Sequence, residues 1–242
     1  MAAPELLSIL VPVFNESRTV ASVIDRLMSI DLPVPREIVV VNDGSSDGTR
    51  EVLDAYPGQG GNLRVLHVEQ NAGKGAAIRL GLQHAHGTII AIQDADLELD
   101  PAQLAALVTP IVAGETKVVY GSRFLAGRPD APWLTVLANR ALTVLTNLLF
   151  GARITDMETC YKIMRADVAR SLELEANRFD IEPEITAKLL LSGHRIQELP
   201  VYFQPRQRAE GKKIGWRDGF HALRVLAGYR FGGWRPSSPK KV

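Results

Sequence analysis

The chain carries a single cysteine, Cys160, among 242 residues. No internal disulfide can form, and no cysteine-based metal cluster can be built. A reducing compartment is therefore expected. Long hydrophobic runs are also missing: no segment reads as the roughly 20 mostly apolar residues that span a bilayer as a helix. Charge of one sign is missing as well. The 28 Lys and Arg nearly balance 27 Asp and Glu, a net +1, which excludes a general nucleic-acid binder. The start, Met1-Ala-Ala-Pro-Glu5, has no basic region and is read as lacking a secretory signal. Internal repeats and low-complexity linkers are absent. What remains is ordinary globular composition, 46% hydrophobic and 23% charged.

The near-zero charge hides an asymmetry. Phe203 to Val242 holds ten Lys or Arg against two acids, a net +8, which leaves −7 for the remainder of a +1 chain. A basic end on an acidic body suits an anionic partner, either phosphate or lipid headgroups.

The hydrophobic pattern is one of short apolar runs separated by amphipathic stretches. Runs at Leu6–Val13, Glu37–Val41, Leu63–Val68, Thr88–Ile92 and Val118–Tyr120 read as buried strands. Helices are expected between them: from a Ser17 cap to Ser29, at Thr49–Ala55, after Asn71-Ala-Gly-Lys-Gly75, and over Pro101–Ala113. Such alternation predicts an α/β fold, a doubly wound and mostly parallel sheet covered on both faces. Further helices are expected at Trp133–Phe150, Pro183–Leu191 and Trp216–Tyr229, with an edge strand at Arg195–Tyr202. Trp133–Phe150 has twelve apolar residues in eighteen and one charge, Arg140; Thr135, Asn139, Thr143, Thr146 and Asn147 form a narrow polar stripe. It is read as a core helix in preference to a membrane-surface helix.

The polar and glycine-rich residues follow the strands. In an open α/β sheet they gather at the carboxyl edge, where ligands bind. Asn15-Glu16, Asp43, Gly73-Lys74 and Asp94/Asp96 are thus expected to converge. Asp94 and Asp96 end a buried strand, and two close carboxylates repel unless a cation intervenes. A hard divalent ion with open positions for phosphate oxygens satisfies them. The competing reading is that Asp96 and Asp100 only cap the helix from Pro101. A Walker loop is excluded because Gly75 follows Lys74, and a dinucleotide fingerprint because Val-Pro-Val-Phe-Asn-Glu follows the first strand. A nucleoside diphosphate held through a metal remains.

Val11-Pro-Val-Phe-Asn-Glu16, Val41-Asn-Asp-Gly-Ser-Ser-Asp-Gly-Thr49, Asn71-Ala-Gly-Lys-Gly75, Asp94-Ala-Asp-Leu97 and Gly121-Ser-Arg-Phe124 resemble, in order and spacing, the motifs of family 2 glycosyltransferases. The second half resembles the dolichol/polyprenyl-phosphate mannose (hexose) synthase branch. It has an amphipathic helix, Asp156-Met-Glu-Thr-Cys-Tyr-Lys162, Glu182-Pro-Glu184 and a basic Glu210-Gly-Lys-Lys213 segment. Cys160 stands where many relatives carry glycine, and Glu98 where relatives often carry glutamine. The Gln-x-x-Arg-Trp motif of processive synthases is absent.

The resemblance implies a GT-A fold in one domain. It would comprise a nucleotide-sugar-binding half (1–125), an acceptor half (126–202) and a basic C-terminal segment (203–242). It implies inverting transfer of a hexose from GDP-mannose or a UDP-sugar, with Mg²⁺ or Mn²⁺. Pro12, Asn15 and Glu16 would line the nucleoside pocket and Asp43 would contact the base. Gly73 and Lys74 would lie beside the donor. Asp94 would meet ribose or sugar, and Asp96 would hold the metal, with Asp94 and Glu98 as further candidate ligands. Arg123 would face the acceptor or the diphosphate. By charge, Arg123, Arg206, Lys212 and Lys213 are the candidates to receive an acceptor phosphate.

A phosphate monoester, with its second pKa near ~6, is largely a dianion at neutral pH and needs no strong base. A hydroxyl acceptor needs one, and Asp156, then Glu158, are the candidates. The leading expectation is transfer to a polyprenyl phosphate by a cytoplasmic protein, peripheral at the inner membrane face. The rivals are a family 2 transferase acting on a soluble glycan or metabolite hydroxyl, and a non-catalytic nucleotide-sugar-binding partner of a membrane assembly.

Overall fold

The computed structural model describes residues 5–58, 61–205 and 216–232. Seven strands form one sheet in the order β3-β2-β1-β4-β6-β5-β7. These are β1 (Leu7–Val13), β2 (Arg36–Asp43), β3 (Leu63–Val68), β4 (Ile89–Ile92), β5 (Val118–Ser122), β6 (Lys162–Arg165) and β7 (Gln197–Pro200). Among the described residues eight α-helices accompany them: α1 (Val20–Ser29), α2 (Thr49–Asp54), α3 (Lys74–His84), α4 (Leu104–Val112), α5 (Trp133–Phe150), α6 (Ala166–Ser171), α7 (Ile181–Leu191) and α8 (Trp216–Phe231).

The strand cores are apolar on both sides because both sheet faces are covered. On one face Val20, Val23, Ile24 and Leu27 of α1 and Leu104, Leu107 and Ile111 of α4 pack against β1, β2 and β4. On the other, Ile78 of α3 and Ile181, Ile185 and Leu189 of α7 pack against Leu10, Val39, Ile90 and Tyr120. Strand β1 pairs in parallel with β2 on one side and β4 on the other. The strand order therefore reverses between β1 and β4, the kind of position at which open α/β sheets bind ligands.

Three local expectations change. Ser17 does not cap α1. Its N–H donates to Asp47 Oδ2 at 3.1 Å, and the N–H groups of Thr19 and Val20 turn back on the Glu16 carbonyl before the helix begins. The segment after Asp100 opens as a 3₁₀ turn, Pro101–Gln103, capped by Asp100, and only then becomes α4. Strand β6 and helix α6 lie in a stretch to which the sequence assigns no strand or helix. Strand β6 runs antiparallel between β4 and β5. Its four residues include two basic ones, so it has neither the length nor the apolar run of a recognisable buried strand.

Helix α5 corrects the expectation of a core helix. Only 22% of it is buried. Its polar stripe faces inward: Thr146 is fully buried, Thr143 Oγ1 accepts the Met157 N–H at 3.1 Å, and Asn147 clamps both backbone groups of Ile154. Its apolar face looks out, with Trp133 62%, Leu137 57% and Leu148 77% exposed. Helices α5, α7 and α8 share a small core of Leu142, Ile154, Met157, Ala187, Ala222 and Leu226.

Candidate active site

Four loops meet at the carboxyl edge, stitched by side chains acting on backbone. Asn15 sits in the left-handed region at φ 56°, a conformation asparagine tolerates better than most residues. It ties the loop after β1 to the loop after β2: its N–H donates to Ser45 Oγ, and its Oδ1 accepts from Ser46 N–H, both at 2.9 Å. Glu16 is buried beside it, and its N–H donates to Thr49 Oγ1 at 2.9 Å. Asp43, at the end of β2, accepts from Asn71 Nδ2 at 2.9 Å, Ala72 N–H at 2.9 Å and Gly73 N–H at 2.7 Å. The carboxylate assigned by resemblance to the base therefore also shapes the loop that leads into Lys74. Pro12 lies in β1, paired with Val41.

Lys74 reaches across to β4 and α7. Its ammonium lies 2.8 Å from Asp94 Oδ1, 3.1 Å from Asp94 Oδ2 and 3.0 Å from Glu182 Oε1. Glu182 in turn meets the fully buried Lys162 at 2.5 Å, and Lys162 also donates to the Met157 and Thr159 carbonyls. Carboxylate and ammonium alternate along this line, so each buried charge has a partner of opposite sign, as buried charges require. Burial alone would favour the neutral amine of Lys74. Asp94 and Glu182 override it and hold the pKa well above the lysine value. Burial likewise opposes the charge of Asp94, and Lys74 wins, drawing its pKa below the usual carboxylate value. Lys74 is thus a fixed cation at the carboxyl edge of the sheet.

Both Asp94 oxygens are engaged by Lys74, whereas Asp96 lies in a different setting. Leu97 adopts φ 62°, a strained conformation for a γ-branched side chain, and forces a tight turn between Asp96 and Glu98. The Glu98 N–H closes that turn on Asp96 Oδ1 at 3.1 Å. Asp96 does not cap the following helix; Asp100 alone does, accepting from Ala102 N–H at 3.1 Å. Among the described residues no group of three or more His, Cys, Asp or Glu is preassembled around a cation position. A Mg²⁺ or Mn²⁺ ion bound together with a diphosphate needs only one or two protein carboxylates, with phosphate oxygens and water completing the shell. Asp96, with Glu98 in the same turn, fits that requirement.

On the acceptor side, Asp156 is fully buried and grips Arg123. Nε donates to Oδ2 at 2.7 Å, Nη2 to Oδ1 at 2.8 Å, and the Arg123 backbone N–H to Oδ2 at 3.0 Å. Burial works against the Arg123 charge, but Asp156 secures it and raises its pKa. The guanidinium also stacks over Phe203, 5.5 Å from the ring centre. A base must offer an oxygen to the acceptor proton. Asp156 has both oxygens on Arg123, so its geometry is that of a group orienting a cation. Arg206, Lys212 and Lys213 lie outside the described residues.

Glu158 differs from its neighbours. Its Oε1 is buried and has no hydrogen-bond partner. Burial raises its pKa to about 7; Lys162 and Arg123 oppose the rise, while Glu182 and Asp156 add to it. The folded chain therefore takes up this proton more readily than the unfolded chain, whose value is near 4.5. Stability falls as pH rises between those two values and levels off above the upper one. Glu158→Gln is expected to remove this slope, stabilising the chain near pH ~8 by up to about 3 kcal/mol with little change near pH ~4. Urea unfolding across that range checks it. An unchanged slope in the variant would trace the dependence to another group.

Glu182, Lys162 and Glu198 were not singled out as site residues from sequence. Glu182 belongs to the Glu-Pro-Glu motif and Lys162 ends the Asp156 motif, so their motifs flagged them without revealing their partners. Glu198, which accepts the N–H groups of Thr155 and Asp156 and so sets the Asp156 turn, carried no sequence signal.

Comparison with known proteins bears on the family and the fold. The family model described as "Glycosyl transferase family 2" matches residues 8–172. A dodecaprenyl-phosphate galacturonate synthase of Rhizobium johnstonii is 29% identical over 209 residues, covering 85% of this chain and 61% of that protein. An undecaprenyl-phosphate mannosyltransferase of Micrococcus luteus is 27% identical over 215 residues, covering 85% of this chain and 86% of that protein. The chain spans about three fifths of the first of these and, at 34%, about a third of the glycosyltransferase AglD of Haloferax volcanii. Among solved structures, glucosyl-3-phosphoglycerate synthase of Mycobacterium tuberculosis, bound to Mn²⁺, UDP and phosphoglyceric acid, superposes with a TM-score of 0.72. It is 20% identical and covers 98% of this chain and 81% of that one. The mostly parallel sheet, with its acidic turn after β4, is thus a GT-A fold, and the chain belongs to glycosyl transferase family 2.

Proposed function

We propose that this protein transfers a hexose, with inversion, from a nucleoside-diphosphate sugar to a polyprenyl phosphate at the cytoplasmic face of a membrane. One observation carries the acceptor assignment. Helix α5 turns its apolar face outward beside a fixed arginine. Arg140, its sole charge, stacks on Phe124 at 5.3 Å, next to Arg123. An apolar surface bordered by guanidinium groups matches a lipid chain that ends in phosphate. The outward face of α5 then lies against the membrane. The polyprenyl-phosphate relatives support the same reading.

In the reaction, an acceptor phosphate oxygen attacks the anomeric carbon. The bond from that carbon to the diphosphate oxygen breaks on the opposite side, and the diphosphate leaves with the electron pair. Arg123, aligned by Asp156, holds the attacking phosphate and offsets its charge. Lys74, fixed between Asp94 and Glu182, presents positive charge to the donor side. A Mg²⁺ or Mn²⁺ ion at Asp96, assisted by Glu98, would stabilise the negative charge that grows on the leaving diphosphate. No proton need be removed from a phosphate dianion, which accords with Asp156 being fully engaged by Arg123.

The test is incubation with radiolabelled UDP- and GDP-sugars, Mn²⁺ or Mg²⁺, and vesicles containing polyprenyl phosphate. Label is expected to move into the organic phase with one donor. Product that stays aqueous would point to a hydroxyl acceptor. Calorimetric donor binding without transfer would point to a non-catalytic nucleotide-sugar-binding partner.

A further inference from the structure

The segment 175–177, between α6 and α7, forms a wall behind the start of α3. Its Asn177 carbonyl accepts the Ala76 N–H at 3.0 Å. Arg79 of α3 grips the same segment, donating to the Glu175 carbonyl at 2.9 Å and to Asn177 Oδ1 at 2.6 Å. The approach is so close that side chains cannot fit at the loop. A Cβ on Gly73, whose φ is +100°, would lie 2.4 Å from the Asn177 carbonyl oxygen, and one on Gly75 would lie 2.3 Å from that of Ala176. The position of this wall therefore decides where Gly73, Lys74 and Gly75 can be.

One carboxylate holds the wall. Glu184, fully buried on α7, accepts the Glu175 N–H on Oε1 at 2.9 Å and the Ala176 N–H on Oε2 at 2.7 Å. It is steadied in turn by the fully buried Lys188, 2.7 Å from Oε1, and by the Tyr229 hydroxyl of α8, which donates to Oε1 at 2.8 Å. Lys188 also donates to the Glu173 carbonyl at 2.7 Å, so it fixes the same segment from its other end.

We infer that Glu184 is a positioning residue for the loop that faces the donor diphosphate, and that Tyr229 sets Glu184 in place. This rests on the reading that Gly73 and Lys74 lie beside the donor. Glu184 touches no reactant; it acts through the 175–177 backbone. Its loss should therefore weaken the donor selectively, because the acceptor arginine is held separately by Asp156.

The experiment measures UDP and GDP binding with Mn²⁺ by calorimetry, and donor and acceptor KM, for the wild type, Tyr229→Phe and Glu184→Gln. Tyr229→Phe keeps the ring and removes one hydrogen bond, so it remains informative if Glu184→Gln fails to fold beside Lys188. Tyr229→Phe is expected to weaken the bound nucleotide and raise donor KM by about fivefold, and Glu184→Gln by more, with acceptor KM within about twofold of wild type. Donor KM unchanged in Tyr229→Phe, or donor and acceptor KM rising together, would overturn the inference. Wild-type protein that binds neither nucleotide would instead overturn the donor-site reading on which it rests.

Discussion

Replacing Asp96 with alanine is expected to lower kcat about a thousandfold, roughly 4 kcal/mol of transition-state stabilisation, while the thermal midpoint moves little. The reasoning is electrostatic. In the proposed reaction cleavage places new negative charge on a diphosphate, which Lys74 and the proposed divalent cation would neutralise. Lys74 already balances Asp94 and Glu182, so part of its charge is committed. Losing Asp96, the proposed metal carboxylate, would remove the larger contribution. Asp100→Ala is the control. Asp100 sits four residues further on, caps the 3₁₀ turn, and meets Arg26 on the surface at 3.5 Å. That variant should cost about 1 kcal/mol of stability and leave transfer intact. Steady-state rates across a Mn²⁺ titration, together with thermal unfolding, read both effects. Asp96→Ala protein that retains metal-dependent transfer at the wild-type rate would refute the assignment.

The second large effect is at Asp156. Asp156→Ala leaves the nearly buried Arg123 without its bidentate partner and the Arg123 N–H without an acceptor. Breaking such a pair from one side is expected to cost about 3 to 5 kcal/mol of stability, because an uncompensated charge remains. On the proposed role of Arg123, activity should fall about a hundredfold or more, since a misplaced guanidinium would no longer meet the acceptor phosphate. Removing both charges separates these effects. Arg123→Met combined with Asp156→Leu should recover most of the stability in urea unfolding and none of the activity. If Asp156 were instead a general base, Asp156→Asn would abolish the acidic limb of the kcat–pH profile. As an orienting group, its loss should lower kcat at every pH without moving that limb.

Much of the fold was legible from the chain because its signals are local. Each parallel strand from β1 to β4 is a short apolar run, and each is followed at once by its polar loop, so both strand and loop can be read within a dozen residues. The placement of Asn15, Asp43, Lys74 and Asp94 on one edge follows from that alternation. It needs only the rule that parallel strands share a direction.

The antiparallel insertion of β6 was not legible. Its signal is four residues long, and the pairing that makes it a strand lies on β4 and β5, far away in sequence. That insertion brings the Asp156 turn and Lys162 into the site. The facing of α5 was also misread. Sequence showed a polar stripe and an apolar stripe, and a water-soluble core would have taken the apolar one. The structure instead buries the polar stripe because Thr143 and Asn147 satisfy backbone groups of Ile154 and Met157.

The sequence by itself determined the order of the elements from β1 to β5, the loops at the carboxyl edge and the family to which they belong, since each depends on residues close together in the chain. Tertiary structure alone decided which charge pairs with which. Lys74 lies between Asp94 and Glu182, Arg123 is gripped by Asp156, and Glu184 is linked to Tyr229. Buried charges must find partners wherever the fold brings them, and that proximity is a property of packing rather than of any local pattern.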